Sequence, residues 1–158
     1  MIKVIHIVPG IEEEQSGPSY SVLRLTESLR KFCDAKIYTL DWGLNNNKIN
    51  NNYIFYFKNG RFIPRLGISY LLYKKLKEEI ISNKGKIIIH NHGMWQFNSL
   101  YPAWLRNKYD FKLIQSPRGA LSKWSLSNGS YLKKPFWWLF QKKALLKCDY
   151  FHATSTME

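Results

Sequence analysis

Short apolar runs bounded by turn residues recur along the chain, and stretches of helical period lie between them. The runs Lys3 to Val8, Ala35 to Leu40, Tyr53 to Phe57, Lys86 to His90, Lys112 to Ser116 and Asp149 to Ala153 have strand length. They are continuous rather than alternating, as in strands covered on both faces. Between the first two, Pro18, Val22, Leu25, Leu29 and Phe32 recur on one helical face, with Pro18 suited to the first turn. Leu72, Leu76 and Ile80 mark a second helix over 68–82, and a third is expected over 99–109. A fourth, over 131–147, carries Phe136, Phe140, Ala144 and Lys147 along one side. This alternation predicts one α/β domain, a parallel sheet with helices on both faces. The asparagine-rich run 45–52 cannot bury apolar surface and is expected to be a surface loop. Ser155 and Glu158 have the spacing of a capping box, so a helix is expected to open where the sequence stops, as if the chain had been cut.

Composition narrows this outline. With 158 residues, 45% of them hydrophobic, the chain suits a single compact domain. The first apolar run ends at Pro9-Gly10, too short for a secretion signal, and no run approaches bilayer length. A soluble or peripheral cytoplasmic protein is expected, with Cys33 and Cys148 as reduced thiols rather than a disulfide framework. The formal charge of +13 calls for an anionic partner: nucleic acid, anionic lipid or a phosphate-bearing substrate. That charge belongs to the second half, where ten Lys or Arg and the single acid Asp110 fall between Arg106 and Lys147. Glu12, Glu13 and Glu14 in the first loop read as a solvated charge run with no catalytic role.

Three loops follow strands at the edge where open α/β sheets hold ligands. The first contains Ser16-Gly17-Pro18 and enters a helix N-terminus, which either favours an anion or simply needs glycine for a close turn. The second is His90-Asn91-His92-Gly93-Met94-Trp95. Alternation puts His90 and His92 on one side; two histidines could begin a metal site, but no third ligand stands at a suitable spacing, and polar recognition of a sugar or phosphate is the better reading. The third is Ser116-Pro117-Arg118-Gly119-Ala120, where Arg118 offers a fork of donors for phosphate or carboxylate.

In this order and spacing the motifs, together with 138–145 and His152-Ala153-Thr154-Ser155, resemble the N-terminal domain of retaining glycosyltransferases of family 4. The resemblance covers essentially the whole chain, 1–158. It implies the N-terminal half of a GT-B fold, two facing Rossmann-like domains. It also implies transfer of a sugar from a nucleotide-sugar donor to a glycan or polyprenyl-linked acceptor, in lipopolysaccharide O-antigen or capsular polysaccharide assembly. No metal or other cofactor is implied. His92 would touch the donor sugar near the reacting carbon as the catalytic candidate. Ser16, Gly17, Pro18, His90, Gly93, Trp95, Arg118 and Gly119 would bind substrate. In that family the nucleotide pocket lies in a C-terminal domain absent from this sequence, so the chain alone is expected to be inactive.

The segment 131–143 mixes aromatics with lysines. Lys133, Lys134, Trp137, Trp138, Lys142 and Lys143 are candidates for docking on an anionic membrane surface, or else the aromatics are core and the lysines a solvated face. The same mixture would suit single-stranded nucleic acid, but no recognition-module signature accompanies it and no nucleic-acid partner is expected. A non-catalytic acceptor-binding or membrane-associated module is the alternative to an enzyme.

Overall fold

A computed structural model of the chain describes residues 1–11, 16–43, 48–49 and 51–155. Its sheet has six strands: β1 (Lys3–Val8), β2 (Asp34–Asp41), β3 (Ile54–Lys58), β4 (Ile87–His92), β5 (Lys112–Ser116) and β6 (Tyr150–Phe151). All pair in parallel, in the order β3-β2-β1-β4-β5-β6. The order reverses beside β1, so the loops leaving β1 and β4 diverge and open a crevice at the C-terminal edge. Register sets His6 of β1 beside His90 of β4, and His92 beside Ser116 of β5.

Alternation divides the strand side chains between two cores. On one face Ile5, Ile7, Ile87, Ile89 and Leu113 pack with Leu72, Leu76 and Ile80 of α2 (Tyr70–Ser82) and Leu105 of α3 (Tyr101–Leu105). On the other, Val8, Ile37 and Ile54 pack with Val22 of α1 (Ser16–Leu29). The histidines share this second face. Under the N-terminal edge, Glu79 of α2 accepts from Lys3 Nζ at 2.7 Å and from Tyr38 Oη at 3.1 Å.

Several sequence expectations are corrected. The amides of Phe32 and Cys33 both donate to Leu29 O and close α1 early, so Phe32 is 83% exposed instead of facing inward. Among the described residues the buried polar positions of α1 are Ser19 and Thr26, the latter donating its hydroxyl to Val22 O at 2.7 Å. The third helix is shorter than 99–109. It follows a 3-10 turn at Phe97–Ser99 and begins where Pro102, which lacks an N–H, suits the first turn.

The fourth helix is composite: α5 (Ser130–Phe136) contains Pro135, a π turn occupies Trp137–Gln141, and α6 (Lys142–Leu145) follows. An extra helix, α4 (Lys123–Ser127), precedes it, capped by Ser122 Oγ accepting from Ser125 N at 3.2 Å. Strand β6 pairs over two residues, both exposed, and is an edge strand where a buried one was expected. Cys33 and Cys148 are free and half-buried, and burial pushes the Cys148 thiol up to about 12. Glu12–Glu14, half of the asparagine run and the acidic end of the capping box lie outside the described residues.

Candidate active site at the switch point

The loops after β1, β4 and β5 and the start of α4 enclose a cleft of about 380 Å³ beside the topological switch. Val8, Pro9, Gly10, His92, Gly93, Met94, Pro117, Arg118, Gly119, Ala120, Trp124 and Ser125 line it. Two buried amides anchor its floor: Asn91 Nδ2 donates to Gln115 Oε1 at 2.7 Å, and Gln115 Nε2 donates to Gly93 O at 2.8 Å. Gly93 takes φ +88, which only glycine adopts at low cost, and its amide donates to Ser116 O at 2.9 Å. Among the described residues two non-glycine side chains have positive φ, Trp95 at 71° and Arg118 at 56°. Trp95 follows β4 and Arg118 follows β5, both at the ligand edge, and such strain collects at functional sites.

The strained Arg118-Gly119 turn brings the guanidinium back over the β4 edge. Its Nε and Nη2 lie 3.4 and 3.2 Å from His92 Nδ1, and Nη1 donates to Ser21 Oγ at 2.9 Å. Ser21 passes its own proton to Gly17 O at 3.0 Å, which ties the first turn of α1 to the cleft. Arginine only donates, so His92 Nδ1 must accept and the ring proton sits on Nε2. That proton points to His6 Nδ1, 3.0 Å away, leaving the His6 proton on Nε2, buried and without an acceptor among the described residues. These hydrogen bonds fix both tautomers in a directed chain, Arg118 to His92 to His6. His90 lies against His92 with ring centroids 4.0 Å apart and planes tilted by 35°, and its Nε2 lies 3.3 Å from His152 Nδ1.

All three core imidazoles are held neutral. Burial, then the Arg118 and His152 charges, lowers His6 to about 4. Burial and the neighbouring histidines lower His90 to about 3 and His92 well below the ordinary range. Neutral imidazoles are metal ligands, and ligand atoms of His6, His90 and His92 lie within 4.8 Å of one another. A metal on His92 Nε2 would leave the proton on Nδ1, facing the Arg118 donors, where a metal-bound histidine ordinarily meets a carboxylate or carbonyl. The donor set thus suits a hydrogen-bonded chain better than a metal.

The fold brings His92, Gly93, Arg118 and Gly119 together as cleft lining and sets Gly17 within two hydrogen bonds of Arg118. Ser16 and Pro18 open α1, with their side chains outside the described residues. His90 lies behind His92 at 6% exposure, off the cleft wall. Trp95 lines a separate apolar slot with Lys133, Lys134, Trp137 and Trp138. Lys142 lies 4.8 Å over the Trp138 ring, and Lys143 is exposed. The aromatic segment divides between both expectations: Phe136 and Phe140 pack on the core, while Trp138 and Leu139 are 66% and 61% exposed. Sequence reasoning missed His6 and Ser21. The signal for His6 was a polar residue interrupting the run between Ile5 and Ile7, at the position that pairs with His90 once β1 and β4 are neighbours.

Comparisons with known proteins bear on the fold and the family. No curated protein matches the chain. A solved structure from Listeria monocytogenes, described as a UDP-N-acetylglucosamine 2-epimerase, is similar in fold with a TM-score of 0.57 and 12% identity, covering 99% of this chain and 39% of that one. At that identity the likeness shows the Rossmann-like, GT-B type fold alone, and the chain spans well under half of the longer protein. The model of Glycosyltransferase Family 4 matches residues 16–158, from the first turn of α1 through the cleft loops after β4 and β5. The chain belongs to Glycosyltransferase Family 4.

Proposed function

We propose that this chain forms the acceptor side of a glycosyl-transfer site, serving transfer of a hexosyl group from a nucleotide sugar to a glycan or lipid-linked acceptor. The observation that carries it is Arg118, held on a strained turn at the switch point between the β4 edge and the first turn of α1. A guanidinium there binds a phosphate bidentately and offsets charge that develops on a departing phosphate. Taking a phosphate, Arg118 would release His92 Nδ1, which then accepts from a sugar hydroxyl near the reacting carbon. The first turn of α1, tied to Arg118 through Ser21, would add its free amides beside the same anion. Among the described residues no carboxylate lines the cleft, in keeping with transfer that relies on donor phosphate and backbone groups. The chemistry proposed uses no metal or other cofactor, and the donor nucleotide would be held by a second domain, leaving the 158-residue chain inactive alone.

The basic, aromatic surface supports an acceptor presented at the inner face of the cytoplasmic membrane, as in lipopolysaccharide or capsule assembly. Trp138 and Leu139 stand exposed beside Lys142, and no described helix is long and apolar enough to cross a bilayer. Calorimetric titration with a prenyl-diphosphate glycan tests the site: Arg118→Ala should weaken binding by about tenfold to a hundredfold, the size of a charge-assisted hydrogen bond. Unchanged affinity in that variant, or turnover of a nucleotide sugar by the unaccompanied chain, contradicts the proposal.

A further inference from the structure

Beside the polar cleft lies a second cavity of about 300 Å³, walled by Trp95, Leu121, Leu126, Trp137 and Trp138 with Lys133 and Lys134 at its rim. The two cavities share a wall built from adjacent residues. Met94, Ala120 and Ser125 face the cleft, while their neighbours Trp95, Leu121 and Leu126 face the slot. Trp95 is held there against its backbone preference, at φ 71°. Its amide donates to the fully buried Gln141 Oε1 at 3.3 Å, its indole N–H donates to Ala120 O at 3.2 Å, and Lys133 Nζ lies 5.6 Å from its ring centroid. Gln141 reaches inward because the π turn Trp137–Gln141 rotates it there, so an irregular helix and a strained tryptophan maintain one opening. A surface that keeps three indoles around a gap is built to receive apolar matter, and the charge beside it selects the kind. No acidic residue occurs between Asp110 and Asp149, and Lys133, Lys134 and Arg118 border the two cavities.

We propose that the slot takes the proximal hydrocarbon of a prenyl phosphate, whose phosphate lies toward the Lys133, Lys134 and Arg118 side and whose polar remainder enters the cleft. This rests on the acceptor reading of the cleft and adds the place and chemistry of the acceptor's apolar end. A single chain detached from any bilayer suffices for binding.

The test uses the full chain and four probes: monomeric farnesyl phosphate below its micelle concentration, farnesol, inorganic phosphate, and phosphatidylglycerol vesicles. Farnesyl phosphate should perturb the Trp95 and Trp137 indole NMR signals together with the Arg118 side chain, at least about tenfold tighter than inorganic phosphate, the increment of roughly two buried methylenes. Leu126→Asn or Leu121→Asn, each at a partly exposed position and without a new charge, should abolish that increment and leave phosphate binding unchanged. Farnesyl phosphate binding no tighter than inorganic phosphate, while phosphate still moves Arg118, overturns the slot and leaves the cleft standing. Indole shifts without any response at Arg118 overturn the shared site and the cleft reading together. Equal affinity for farnesol, or indole shifts with vesicles alone, also overturns the proposal, in favour of a merely greasy or a membrane-docking surface.

Discussion

Lowering the pH from 7 to 5 should remove a large share of this domain's stability through its histidine chain. In the folded protein His6 titrates at about 4 and His90 at about 3, because burial and neighbouring charge oppose protonation. Unfolded histidines bind protons near pH 6.5, so below that pH the unfolded state holds more protons and stability falls as pH falls. At pH 5 the unfolded imidazole gains about 1.5 pH units of protonation free energy that the folded one forgoes, about 2 kcal/mol per histidine. His6 and His90 together then cost about 4 kcal/mol, against a total of roughly 5–15 kcal/mol for a domain. His92 acts in the same direction. Aspartate and glutamate titrate near pH 4 when unfolded and contribute little in this window. Urea unfolding followed by tryptophan fluorescence at both pH values measures the loss. In His6→Asn the loss should shrink by about 2 kcal/mol, since one titrating site is gone. A wild-type loss under about 1 kcal/mol, or an undiminished loss in His6→Asn, refutes the buried neutral chain.

Two further outcomes test the scaffold. Leu76→Ala, at a fully buried position in the larger core, should cost about 2–5 kcal/mol in urea unfolding at pH 7. Gly93→Ala should cost about 1 kcal/mol or more from φ alone, since the added methyl would meet Pro9 only at ordinary contact distance, 3.4 Å. A neutral result in a thermal melt would remove the argument from Gly93 conformation.

The strands were legible because parallel strands covered on both faces are written as unbroken apolar runs, and β1 and β5 fall on their expected bounds. Helix α2 was equally plain from Leu72, Leu76 and Ile80. Period failed where local hydrogen bonding overrode it, as at Phe32, where the amides turn back to Leu29, and at the π turn that buries Gln141. Candidate residues of the site were visible one loop at a time, since each sits just after a strand. Their assembly was not, because it depends on register. Only the pairing of β1 with β4 places His6 against His92, and only the left-handed Arg118-Gly119 turn directs the guanidinium to His92 and Ser21. Trp95 belongs to the apolar slot for the same reason: its positive φ follows Gly93 out of β4 and takes it off the cleft wall.

The most direct measurement of the central claim is protein-detected NMR at low salt, with a prenyl-diphosphate glycan, nucleotide sugars and single-stranded DNA added separately. Shifts at Gly17, His92 and Arg118 with the glycan, and little response to nucleotide sugars, are the result expected of an acceptor-side domain. Silence at those three residues with tight binding of the DNA elsewhere would contradict it.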